Sequence, residues 1–526
     1  MKTLHERPDY VLRFVKPKNT EIKHIKGRWY LYERTTVYDP GTGRSTKKSG
    51  RMIGAITEGG LVEKRVEAKA LREVETVEAG ATQYLYRENE DIRRLLGEHF
   101  PDCRRELFSL AVIRMVQDRA LKRAEAHYET SILSAMWPGL RLDGPSLTAL
   151  LRRLGKDRGS IRAFMRSMTG GGDRFLMVDG HRILSASTTL ESAEKGYDSK
   201  RRYKRQVNLL YLFGIGEGGR GPRFYKKFAG SITDDGTVEE LLREAGVEGG
   251  DCTLVGDKGF YSNENFTLVD ELGLGYIIPL DRGSKVLEGN VPSSHVGYGT
   301  AFTFRRRSIY VKRIEGDGWV VHLFLDPHLL AEESADMVAR LENRNANLDK
   351  RRRTEHKRRT KGKGKLTDVE LAALEEIPVM EEIGSRREMG TIAIRTNRLD
   401  LNSNQVYAIY KERQSIEQLF KTYDCTYEFD ASYMQGDFAM EGWLFLNHLT
   451  MIMAVRVLDM IRDLGLTDVY SLDDFTQHLR KIKASKVDGK WYPTKVTKKV
   501  QALCENLGIS LGSVNQIIQQ ERASAP

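Results

Sequence analysis

Residues 403–424, SNQVYAIYKERQSIEQLFKTYD, carry Tyr410, Arg413, Glu417 and Lys421. On a helix turning roughly 100° per residue, spacings of three, four and four place all four side chains on one narrow stripe. An acid, two bases and a phenol are expensive to bury without a task. Far upstream, Asp179 in RFLMVDGHRILSAS and Asp257 in CTLVGDKGFYS each follow an apolar run. Cutting and joining phosphodiesters requires an activated attacking oxygen and a stabilised leaving oxygen, which two divalent metals about 4 Å apart supply together. Magnesium prefers hard oxygen ligands, so several carboxylates must meet at one point. Asp179, Asp257 and Glu417 are the candidate catalytic and metal-holding set, Glu417 being the third carboxylate of a site that cuts and joins DNA. One acid at a strand end is most often a solvated turn residue, whereas three in matching settings point to a site.

The elements around these acids read as a mixed α/β sheet. After the glycine run TGGGD come a buried strand expected to end in Asp179, then strands VNLLYLFGI and RFYKKFAG, and the helix TVEELLREAG. A strand ending in Asp257, the helix NENFTLVDELG and the strand YIIPLD follow. Residues 283–388 then interrupt the pattern with β-type runs TAFTFRRRSIYVKRI and GWVVHLFLD, the long polar helix AEESADMVARLENRNANLDKRRR, the basic TEHKRRTKGKGK and a second helix, LTDVELAALEEI. MGTIAIRT resumes the sheet and leads into the helix of Glu417.

The flanks suggest further domains, as 526 residues require. Residues 1–62 read as a small basic β module, with RWYLYERTTVYD and RMIGAIT as strands and PGTGRSTKKSGR at a turn. Residues 63–171 read as helical from RVEAKALREVETVEA onward, closing on the helix pair SLTALLRRLGKDRGSIRAFMRSM. That pair could dock DNA with Arg152, Arg153, Lys156 and Arg158 on phosphates, or present a solvated face. Residues 172–282 and 389–455 form the two parts of the core, and 456–526 a helical C-terminal region for dimerisation or DNA contact. WLFLNHLTMIMAVRVLDMI, broken by Asn447, His448 and Arg456, reads as a core helix rather than a membrane span.

Lys and Arg outnumber Asp and Glu by 84 to 73, a formal charge of +11, which suits a polyanionic partner without proving one. Cys103, Cys252, Cys425 and Cys504 are too widely spaced for a zinc pattern or a disulfide framework, which points to a reducing compartment. The start, MKTLHERPDYVLRF, lacks an apolar run of signal length, which argues against export. A cytoplasmic, nucleoid-associated location is the expectation.

VDGHRILS, VGDKGFYS, GTIAIRTN and Y-x2-R-x3-E, in this order, resemble the DDE transposases of bacterial insertion sequences, in particular the insertion-sequence-four group and its relatives. The resemblance covers about residues 172–450. It implies a ribonuclease-H-like catalytic core interrupted by an insertion, here of α+β type, and a Y-R-E-K helix motif on Tyr410, Arg413 and Glu417. The family lysine, seven residues after the glutamate, would be Asp424; Lys421, one turn beyond Glu417, can still face the same groove. By this resemblance Tyr410 and Arg413 hold a DNA phosphate near the cut, the planar guanidinium gripping two oxygens. The cofactor implied is Mg2+, two per site, with Mn2+ as substitute. Water first frees a 3′ hydroxyl at each element end, which then attacks target DNA. The partners implied are terminal inverted repeats, target DNA and a second copy of the chain in a synaptic dimer.

Trp319 is a candidate for stacking on a flipped base, the alternative being a core tryptophan. Lys258 is placed to approach the backbone. The run 350–365, including Arg351, Arg352 and Arg353, can clamp DNA and release counterions, or serve as a solvated loop. His181 alternates to the same side of its strand as Asp179. Two other function classes compete: a domesticated or hydrolysis-only nuclease on the same core, and a DNA-binding protein without catalysis.

Overall fold

The computed structural model describes residues 7–39, 41, 43–63, 74–117, 120–169, 172–197, 203–217, 219–232, 237–247, 249, 252–260, 262–363, 365–367, 370, 377–507, 509 and 514–523. The chain divides into two units, Met1–Glu75 with Lys486–Lys490 and Thr76–Ser485 with Trp491–Pro526.

In the first unit, β1 (Thr20–Ile25), β2 (Arg28–Asp39), β3 (Arg44–Thr57) and β4 (Gly60–Glu63) form an antiparallel meander in sequence order. Lys26 and Gly27 turn β1 into β2 with φ of 48° and 77°, the left-handed pair whose twist matches that of the flanking strands. Trp29, Leu31 and Ile56 close a small core with Val11 of the helix Asp9–Leu12. The stretch expected as a turn, PGTGRSTKKSGR, is strand from Arg44 onward, because its Ser, Thr and Lys residues pair along β2.

The helix expected over RVEAKALREVETVEA falls largely on 64–73, outside the described residues. Its end is instead the strand β5 (Glu75–Glu78), where Thr76 and Val77 are β-branched. Helices then follow, among them Glu90–His99, Arg104–Val116, Gly144–Lys156 and Arg158–Met168. They pack with the helix Asp437–Asp463, which is buried along nearly its whole length. Two glycines allow the closest crossing: a Cβ on Gly442 would lie 2.2 Å from the Leu151 carbonyl oxygen, and one on Gly155 only 1.8 Å from that of Phe438. Among the described residues this is the one helix long and apolar enough to cross a membrane, and 78% of its apolar window is buried inside the protein.

The centre of the second unit is an 11-stranded mixed sheet. Its strands are β6 (Asp173–Ser185), β7 (Glu194–Tyr197), β8 (Tyr203–Gly216), β9 (Gly219–Ala229), β10 (Thr253–Val255), β11 (Gly275–Pro279), β12 (Thr300–Phe304), β13 (Arg307–Glu315), β14 (Val320–Leu325), β15 (Thr391–Thr396) and β16 (Ala431–Ser432). They run in the order β12-β13-β14-β15-β11-β10-β6-β8-β7, with β16 beside β6 and β9 beside β8. β6, β10 and β11 are parallel neighbours. The β-type runs of 283–388 extend this same sheet through β15, which differs from their reading as part of an interruption. Their apolar alternation matches an edge extension as well as it matches a separate sheet. The polar helix is Pro327–Arg359, capped by Asp326 accepting from the His328 N–H at 3.0 Å. Most of the second helix expected there, LTDVELAALEEI, lies outside the described residues.

Candidate active site

The two aspartates are neighbours because of strand register. β10 runs parallel to β6 with Val255 opposite Met177, so two further residues bring Asp257 level with Asp179. Asp179 is not at the end of its strand as expected: β6 continues to Ser185 because β8 keeps pairing with it as far as Leu184. On its other side, however, β6 loses β10 after Met177, so the paired sheet opens where Asp179 stands.

The third acid arrives on the helix Ser403–Tyr427, whose start is fixed by a reciprocal cap between Asn402 and Gln405. Val406, Tyr407, Ile416, Phe420 and Tyr423 bury one face of it. Phe420 meets the Tyr211 ring of β8 at 5.3 Å, and Tyr211 is the cross-strand partner of Asp179. That docking turns the adjoining stripe toward the aspartates.

Arg413 stands at the centre of the result. Its Nη1 lies 3.3 Å from Asp179 Oδ1, and its Nη2 lies 2.5 Å from Glu417 Oε1 and 3.8 Å from Asp257 Oδ1. The Arg413 side chain is 8% exposed and that of Asp179 14%, whereas Asp257 (43%) and Glu417 (51%) open to solvent. Asp257 Oδ1 also accepts from the Lys258 N–H at 2.6 Å. The guanidinium is 5.9 Å from the Tyr410 ring.

Burial, reinforced by the charges of Glu417 and Asp257, pushes the Asp179 carboxyl up to about 7 against the opposing pull of Arg413. Burial works against the Arg413 charge, but the carboxylates around it prevail and its pKa is raised. Tyr410 is likewise raised, by burial first, with Arg413 opposing.

Among the described residues no three acidic, histidine or cysteine side chains form a ready metal cluster. The three acids nonetheless converge on one cation, the Arg413 guanidinium, and their donors are all hard carboxylate oxygens. That donor set fits magnesium or manganese.

The other expected site residues are less closely tied to this point. Lys421 is exposed one turn beyond Glu417, and Lys258 is exposed beside Asp257. Trp319 is half-buried, with the Arg395 guanidinium 4.5 Å from its ring. It precedes β14, three strands from β10, or roughly 14 Å at ordinary strand spacing. Arg351, Arg352 and Arg353 lie in the last third of the Pro327–Arg359 helix. Arg152, Arg153 and Lys156 are exposed on their helix. Arg158 departs from the expectation of a phosphate contact, since Glu441 at 2.6 Å and Glu244 at 3.0 Å take its guanidinium into an internal ion network.

One arrangement was not anticipated. Asp424 lies 3.3 Å from His181 Nε2. The imidazole is stacked between Phe420 at 4.8 Å and Phe429 at 5.0 Å. Asp424 is two turns beyond Glu417, and His181 shares a strand face with Asp179, so both signals were present separately.

A mixed central sheet with three acids gathered at one opening is an arrangement that can hold hard divalent cations. The family described as transposase DDE domain matches residues 170–453, and the chain belongs to that family. No curated protein matches the chain.

Proposed function

We propose that this transposase is of the cut-and-paste type, related to the insertion-sequence-four group, with a ribonuclease-H-like core and Tyr410, Arg413 and Glu417 as its helix motif. The observation that carries this reading is the convergence of Asp179, Asp257 and Glu417 on one cation. Asp179, Asp257 and Glu417 would hold two divalent ions, magnesium or manganese, which when bound activate the attacking oxygen and stabilise the leaving one. Arg413 lies within reach of all three acids, so its planar fork can take phosphate oxygens where it now takes carboxylate oxygens. Tyr410 flanks it, and exposed Lys258 and Lys421 border the opening toward the DNA backbone. The substrates are element ends with inverted repeats and target DNA, handled by a dimer at the nucleoid.

The test is to supply the purified chain with a pre-cut duplex bearing a 3′ hydroxyl, a supercoiled plasmid and Mg2+. Joining of the end to the plasmid is the expected result. Degradation without joining would overturn transfer in favour of a hydrolytic nuclease, and absence of both activities would point to a binding protein.

A further inference from the structure

The meander of the first unit contains a segment that its own core does not explain. β1 leaves β2 after the pair Thr20↔Glu33, and β4 leaves β3 after Gly54↔Glu63. Beyond these points β2 and β3 pair through six pairs from Arg34↔Ser49 to Asp39↔Arg44; the first still touches β1 and the residue before it, through the Arg34 N–H on the Asn19 carbonyl and the Ser49 hydroxyl beside Glu21 and Lys23. Two register shifts between Leu31 and Arg34 mark where this ribbon departs from the sheet, and such irregularities bend and re-aim a strand pair. Thr35, Thr36 and Val37 on one strand and Arg44 through Arg51 on the other are exposed. Among the described side chains, both faces of the ribbon from Thr35 to Val37 and from Arg44 to Ser49 are exposed. Hydroxyl and basic side chains dominate it: Arg34, Arg44, Lys47 and Lys48 stand against one acid in the sequence, Asp39.

An isolated two-stranded ribbon without an apolar face is marginal in water, so a lasting ribbon of this composition calls for a partner. Its charge selects a polyanion. Six residues per strand at about 3.3 Å each give a length of roughly 20 Å, and the B-DNA major groove is about 12 Å wide and admits a two-stranded ribbon. Lysine and arginine can reach phosphates on the groove walls, while the Thr36 hydroxyl can reach base edges from one face; the Thr35 and Thr46 hydroxyls donate to the Lys48 and Val37 carbonyl oxygens of the ribbon itself.

Resting on the reading of the chain as a DNA transposase, we propose that the β2–β3 ribbon is a DNA-binding arm that enters the major groove of the element-end duplex. The cross-strand pairs Thr35↔Lys48 and Thr36↔Lys47 lie at its centre.

The experiment uses the full chain, a duplex DNA of about 40 base pairs and the same sequence as duplex RNA. Affinity is measured across a salt series for the wild type and Lys47→Ala/Lys48→Ala. The lysine variant should bind duplex DNA roughly tenfold more weakly, and its log–log salt slope should be shallower by about two. Methylation of guanine N7 in the major groove should weaken the wild type more than the lysine variant. Duplex RNA, whose major groove is too narrow to enter, should show no dependence on these lysines. Thermal midpoints of wild type and variant should agree, which separates lost contact from lost fold.

A variant with unchanged DNA affinity and slope overturns the arm while leaving the transposase reading intact. Equal lysine dependence on duplex RNA overturns the major-groove mode. Failure of the wild type to bind DNA at all removes both the arm and the reading beneath it.

Discussion

Arg413 Nη1 sits 3.3 Å from Asp179 Oδ1 while Nη2 of the same guanidinium pairs with Glu417. A single cation therefore bridges a strand acid and a helix acid. Arg413→Ala removes it and leaves Asp179 buried without a counter-charge. Because Glu417 and Asp257 are half exposed, the expected loss is modest, about 1–3 kcal/mol. Denaturation in EDTA and in Mg2+ reads this: the variant should be less stable than the wild type in EDTA and should recover more when Mg2+ is added. Equal stability in EDTA would mean that the pairing holds nothing together.

Arg413→Lys should keep a positive charge but lose the planar fork, so DNA cleavage should fall at least about tenfold. A variant that cleaves at the wild-type rate would separate Arg413 from phosphate handling.

Glu78 offers a pH signature away from the site. Burial pushes its carboxyl up to about 7, against hydrogen bonds from the Thr82 hydroxyl and the N–H groups of Ala81 and Thr82. Between the ordinary carboxylate range and pH 7 the folded chain keeps a proton that the unfolded chain has released. Its contribution is therefore full at low pH and lost as pH rises through about 7, with a magnitude of roughly 3 kcal/mol. Glu78→Gln should gain that amount relative to the wild type between pH 4 and pH 8 in urea titrations. Parallel pH curves would contradict the shift.

Gly442→Ala tests the crossing of the two helices behind the sheet. Its added methyl meets the Leu151 carbonyl at 2.2 Å, and backbone cannot step aside as a flexible side chain can. The expected loss is about 1–3 kcal/mol, read as a lower denaturation midpoint; an unchanged midpoint would show that the helices can separate freely.

Much of this arrangement was legible in the sequence. The apolar runs before Asp179 and Asp257 named the strands that carry them, and the three-four-four spacing named the helix face that carries Tyr410, Arg413 and Glu417. Local pattern could not show where β6 stops, because β8 sustains it past Asp179 through cross-strand pairing. Nor could it show that β12–β14 join the central sheet, since an edge extension and a separate sheet have the same alternation. The family resemblance makes Arg413 a phosphate ligand, but its central position among the acids depends on helix docking set by Phe420 and Tyr211. The His181–Asp424 contact joins residues far apart in sequence and follows from that same docking.

The central claim is that Asp179, Asp257 and Glu417 act as one site. The most direct measurement compares DNA cleavage and DNA binding for Asp179→Asn, Asp257→Asn and Glu417→Gln in Mg2+. The account predicts that each variant loses cleavage by at least about a thousandfold, since the three acids work as a unit, with duplex affinity unchanged. Cleavage retained by any one of the three would contradict it.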